Sequence, residues 1–454
     1  MGEADGVLEN IASLRPRSCR ALPVCLLAAL ALGCGGGPRG RVVAAVDASD
    51  VERALDAYQD YAASDGDDLH LLGRIASVIL LEAACGSDPE LAQLAVRELS
   101  QTGLVGQPVL AEVVHRDCTA TFEATVVGAR RGDTDALRLL RGHADDPAPS
   151  VRAAVVIALS PELDREVLLR WARDEDDGVR AAASERLGAL GPSDADALAI
   201  LVLHARNDAS ARVRARAVRA LGSYQGAAFE ALRERLSDPE GMVRMAAVEA
   251  LVRADRTQAR GTLLDLLATP PSPESIEAAR VLMSAVGIDA SPSEDDRTAS
   301  LAYLRAALSA SDPSLRAQAA VVLVGIAGAD TLGDALASAL RAESDPAASL
   351  SMARALIRRE AEAALALETL RALIPLGGMS GTQAAAVLAE EDDVVGLETL
   401  RSVAIGGASD TPLRVVALHA LGRLHPGELA PVLRDEDLAA RLAAASAILG
   451  ASGG

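Results

Sequence analysis

The chain contains no lysine: its 44 basic residues are all arginine, and they face 64 aspartates and glutamates, giving a formal net charge of −20. Such a balance leaves no basic surplus to displace counterions from a phosphate backbone, which argues against nucleic acid as a partner. Aromatics are nearly missing too, with one Trp, four Tyr and two Phe. Tetratricopeptide repeats need recurring aromatics that this chain cannot supply. Beyond residue 33 the best apolar run, Ala319 to Ala329, has 11 residues, short of the roughly 20 needed to span a bilayer.

Catalytic patterns are scarce. His70, His115, His143, His204, His419 and His425 are scattered, none is followed by Glu and no two stand at i, i+4, so the HExxH arrangement of zinc enzymes is missing. There is no GxxxxGK[ST] phosphate loop and no GxSxG elbow. The acidic groups 65–68, 174–177, 294–296 and 390–393 lack EF-hand spacing and read as solvated helix turns. Arg131-Gly132-Asp133 matches a cell-adhesion tripeptide, but three residues in a turn carry no weight. The reading is a chain with no enzyme activity, cofactor or metal.

What is present begins with an address. Arg15, Arg17 and Arg20 precede the run Ala21 to Gly33, which ends at Cys34 and a glycine-rich stretch. A basic segment, a short apolar core and small residues form a secretory signal rather than a membrane span. Leu30-Ala31-Leu32-Gly33-Cys34 resembles the bacterial lipobox, although Ala31 and Leu32 and the leader acids Glu3, Asp5 and Glu9 depart from its pattern. That resemblance implies a signal peptide over 1–33 and a lipid on Cys34. Residues 34–49 then form a flexible tether, and the protein sits in the cell envelope, held to a membrane by its N-terminal lipid.

Next comes a repeat. Six segments share Val or Leu, Arg at +1, a small apolar residue at +4 and Leu at +8. They start at Val151-Arg152, Val179-Arg180, Val213-Arg214, Val243-Arg244, Leu315-Arg316 and Leu413-Arg414, while Leu91/Ala95/Leu99 keeps the apolar positions with Ala92 for Arg. Offsets of 4 and 8 place these residues on one helical stripe, and alanine in its middle lets a neighbouring helix approach. Asp88, Asp146, Asp176, Asp208, Asp238, Asp312 and Asp410 precede the marks as expected N-caps, followed in several cases by a proline (Pro89, Pro147, Pro239, Pro313) suited to a first helical turn. Amphipathic runs alternate with the marked helices, and weaker marks near Thr121, Ile276, Leu350, Gln383 and Leu438 fill the gaps at similar intervals.

This pattern resembles the HEAT repeat in its short bacterial form. The resemblance implies an all-α fold, a right-handed α-solenoid of roughly ten to twelve helix hairpins over residues 88–449. Residues 50–87 then act as an N-terminal helical cap and 450–454 as a tail. In that family Asp and Arg of successive repeats form a polar ladder, which assigns Arg152, Arg180, Arg214, Arg244 and Arg316 a structural role.

Cys85 and Cys118 fall near the same turn of adjacent units. In an oxidising envelope they suit a disulfide, yet adjacent repeats lie about 10 Å apart while the bond needs Cα atoms within about 7 Å. Two buried thiols are the alternative. The leading functional expectation is a non-enzymatic scaffold whose acidic surface binds an unknown protein partner that carries a basic patch. The second, from another class, rests on the likeness of short HEAT repeats to bilin lyases and implies a tetrapyrrole ligand. Export and the lack of aromatics count against it.

Overall fold

The computed structural model describes residues 37–161, 164–284, 292–326, 333–406 and 410–453. It is an all-α solenoid, without a strand among the described residues. Two compact units divide between Asp67 and Asp68. The leader and Cys34 lie outside the described residues.

The first unit corrects the expected tether. Residues 34–49 contain the helix Pro38–Asp47, which packs on the helix Val51–Asp65. Pro38 suits the first helical turn, and Val42, Ala45 and Val46 supply a buried stripe. Asp50 caps the second helix through the Arg53 N–H. The glycines before Pro38 hid this helix from a reading by composition.

The second unit holds the array. Among the described residues it contains twelve marked helices, from Pro89–Gln101 through Ala211–Leu221 and Gly241–Ala254 to Leu438–Ala451. Each is preceded by a second helical element, the first being Leu69–Ala84 and the last the 3-10 stretch Pro426–Arg434. Residues 50–87 therefore do not stand as one cap: the unit boundary cuts them, and Leu69–Ala84 is the outer helix of the first hairpin.

The repeat positions form the core. Ala183, Ala217, Ala247, Ala319 and Ala417 are fully buried at +4, as are Leu187, Leu221, Leu251, Leu323 and Leu421 at +8. Burying one such leucine contributes about 1.5–3 kcal/mol. From Pro149–Ala158 to Pro273–Met283 neighbouring marked helices abut closely, whereas successive second helices such as Ala195–Asn207 and Phe229–Glu234 barely touch. Closer spacing puts the marked helices on the inside of the curve.

The array also closes on itself, which the repeat pattern did not foretell. The last helix, Leu438–Ala451, packs against both helices of the first hairpin, Leu69–Ala84 and Pro89–Gln101, as it packs against its sequence neighbour Thr411–Leu424.

Candidate interaction surface

Each ladder arginine lies one residue after the start of its mark, so its side chain reaches the turn that opens the next marked helix. Arg214 donates from Nε and Nη2 to Asp238 Oδ2 and Oδ1 at 3.0 Å each, and from Nη1 to the carbonyls of Asp208 and Ala209. Arg180 does the same to Asp208 (2.9 and 3.0 Å), and Arg152 to Asp174 (3.0 and 2.8 Å). Arg316 takes Glu343 at 2.7 Å on both nitrogens, and Arg244 donates Nε to Glu274 at 2.9 Å. A planar fork matched to a carboxylate gives this pairing its geometry.

The acceptors do a second job. Asp174, Asp208 and Asp238 each accept the backbone N–H two residues on, from Asp176, Ser210 and Glu240. This corrects the expected caps: Asp208 and Asp238 are ladder acceptors, and the N-caps are Ser210 and Glu240. Asp146 likewise sits before the cap, which is Ala148, whereas Asp88 and Asp176 do cap their helices. Pro147 and Pro239 lie in the turns, where their carbonyls accept from Arg152 and Arg244.

Burial works to raise the Asp174, Asp208 and Asp238 carboxyls. The facing guanidiniums and the backbone N–H groups outweigh it and hold all three below the usual carboxylate range. The hydrogen bonds from Arg316, opposed by burial and helped by the Asp345 and Ser344 N–H groups, bring Glu343 down to about 2.

The ladder extends past the five arginines read from the sequence. Arg414 pairs with Asp435, at 3.2 Å from Nη1 and 2.5 Å from Nη2. A second series joins the outer elements: Arg165 to Asp194, Arg206 to Glu234, Arg371 to Asp393 and Arg401 to Glu428. Its members hold no fixed place relative to the marks, so the sequence carried no signal for it.

The other singled-out residues are engaged internally. Arg131 donates to the Ser100 carbonyl and Asp133 caps Thr134–Arg141, so the adhesion tripeptide holds a turn together. In the acidic groups, Asp174 is bound by Arg152, Asp296 by Arg260 and Asp393 by Arg371. Ser184 Oγ meets His204 Nδ1 at 2.8 Å, but both side chains are buried and the hydroxyl donates to the Arg180 carbonyl. Burial lowers the His204 pKa. This pair is core packing, with no opening for a substrate.

Cys85 and Cys118 are joined, with Cα atoms 4.4 Å apart. The general spacing of repeats does not apply here, because both residues lie in turns rather than on helix axes. The Ala120 N–H donates to the Ala84 carbonyl at 3.2 Å and Thr119 Oγ1 to the Gly86 carbonyl at 2.6 Å, drawing the two turns together.

With the arginines paired, the inner row offers a mixed surface. Glu185 pairs with Arg216 and Arg219 with Glu249 between neighbouring middle helices, while Arg280 pairs with Glu277 within the helix Pro273–Met283. Beside them the inner helices carry apolar side chains, among them Val321, which is 46% exposed. A groove of about 540 Å³ opens there, lined by Met245, Ile276, Ala317, Val321 and Val322 and edged by Asp312 and Asp345. Among the described residues no group of His, Cys, Asp and Glu is set to hold a metal ion, and no helix is long and apolar enough to cross a membrane.

Residues 160–221 and 198–283 match the family of HEAT repeats. No curated protein matches the chain. The structure is similar to human deoxyhypusine hydroxylase at 19% identity, covering 63% of this chain and 99% of that one, with a TM-score of 0.25. It is similar to importin beta at 15% identity, covering 93% and 65% with a TM-score of 0.35. The condensin Cnd3-Cnd2 subcomplex of S. pombe shows 15% identity, 90% and 70% coverage and a TM-score of 0.32. This chain thus spans just under two thirds of the importin beta chain.

Proposed function

We propose, from the premise that residues 160–283 of this chain are HEAT repeats, that the protein is a non-enzymatic scaffold whose inner row of helices binds another protein. The apolar groove lined by Met245, Ile276, Ala317, Val321 and Val322 carries this reading, because large apolar side chains held open on an inner surface favour burial against a partner. Methionine suits such a surface, since its flexible thioether adapts to what it meets. The net charge of −20 favours a partner with a basic patch, bound less tightly as salt rises.

The lipobox-like leader supports a lipid on Cys34 and a place at the envelope, with the scaffold held against a membrane by its N-terminus. A photo-crosslinking residue at Val321, in cells making the full chain, tests the binding reading. Discrete adducts from Val321, absent from the same probe at outer-row Leu203, are expected. Equal labelling from both positions contradicts it.

A further inference from the structure

We propose that the seam where the last helix meets the first hairpin is a gate, and that the closed array opens there to admit what its inner face binds. The first argument is topological. Every other pair of neighbouring repeats is tied by a turn in the chain, so parting them leaves the pieces at high effective concentration. The seam joins Leu69–Ala84 and Pro89–Gln101 to Leu438–Ala451 without a connecting turn between them. It is the interface whose opening stretches no connecting turn.

The second argument is chemical. The ladder does not continue across the seam, because Ala439 stands where other marks carry the arginine that reaches the next marked helix. Instead, the buried Glu98 carboxylate faces His419 Nε2 of Thr411–Leu424 at 3.4 Å, and Glu98 Oε2 has no hydrogen-bond partner among the described residues. Arg441 Nε of the last helix is buried in the same condition, beside a cleft of about 330 Å³ that Ile79, Leu91, Leu438 and Leu442 line across the seam. Closing therefore desolvates polar atoms without full compensation, and opening returns them to water.

The closed form is nonetheless built for. An ideal Cβ on Gly73 would lie 2.5 Å from Ser452 Cβ, and one on Gly453 would overlap Val105, so two glycines let the ends meet. The joined Cys85 and Cys118 bind the first hairpin to the second, so that side of the seam moves as one piece. Tight packing with incomplete polar satisfaction suits an element with two states.

Energy transfer between single dyes at exposed Glu90 and Glu436, on either side of the seam in the full chain, tests this. The wild type is expected to show a dominant high-transfer state and a minor low-transfer one. Gly73→Leu should raise the minor population at least tenfold, and Gly73→Cys with Ser452→Cys should abolish it on oxidation. Gly453→Leu, at the penultimate position of the sequence, decides the matter should Gly73→Leu not fold. A single high-transfer state unchanged by the folded leucine variants overturns the gate. The readout is conformational, so a failed gate leaves the binding reading standing, and a failed binding reading leaves the gate.

Discussion

Arg214 and Asp238 meet through two parallel hydrogen bonds of 3.0 Å, with side chains only 11% and 1% exposed. Asp238 also receives the Glu240 N–H, while Arg214 Nη1 is held by two carbonyls of its own turn. One pair thus joins two repeats and completes the hydrogen bonding of both turns.

Truncating Arg214 to alanine removes both parallel hydrogen bonds from a buried carboxylate and leaves it only Arg235, 3.5 Å away, as a counter-ion. The expected loss is about 3–5 kcal/mol, the range for breaking one side of a buried pair. Arg233→Ala, whose partner Glu230 lies on the surface, should cost at most about 1 kcal/mol. Denaturant melts of the two variants check the contrast.

Acid should weaken the array through the ladder. Asp174, Asp208, Asp238 and Glu343 have folded pKa values below their unfolded ones. Such groups contribute stability that is present above the unfolded value and lost as pH falls through the folded one. For Glu343 that window runs from its ordinary 4.5 down to about 2. Melting temperatures taken from pH 6 to pH 2.5 should fall most steeply below pH 4.5, and Glu343→Gln should flatten that fall while lowering stability at pH 6.

Reducing the bond between Cys85 and Cys118, which lie 33 residues apart, should destabilise the chain. Loop closure of that length gives about 3–4 kcal/mol. Hydrogen exchange after reduction should rise first in the helices Leu69–Ala84 and Gln107–His115, which precede the two cysteines.

Lipidation at Cys34 predicts a mature chain beginning at that residue with added acyl mass, partitioning into detergent. Cys34→Ser should abolish both. Intact mass of the protein made in a bacterium with its own leader checks this. A retained leader on a product that stays out of the detergent phase contradicts the anchor.

The marks at Val179, Val213 and Val243 were legible because a helix facing one core must repeat its apolar residues at offsets of 4 and 8. All three are fully buried. The acceptors were less legible: Arg152 to Asp174 spans 22 residues and Arg244 to Glu274 spans 30, because turn lengths vary between repeats. Asp208 and Asp238 looked like caps because a carboxylate two residues before the cap has the same local sequence as one at the cap itself. The closure left no trace in the pattern. It depends on the summed rotation of the repeats, which no single residue encodes, and Gly73 and Ser452 meet only at its end.

Binding of a protein partner by the inner row is tested by an affinity comparison. With the partner recovered by crosslinking from Val321, fluorescence anisotropy on the purified full chain should show Val321→Arg weakening binding at least tenfold and outer-row Leu203→Arg leaving it within twofold. Binding that survives Val321→Arg but falls with Leu203→Arg would move the binding surface to the outer row and overturn the inner-row reading.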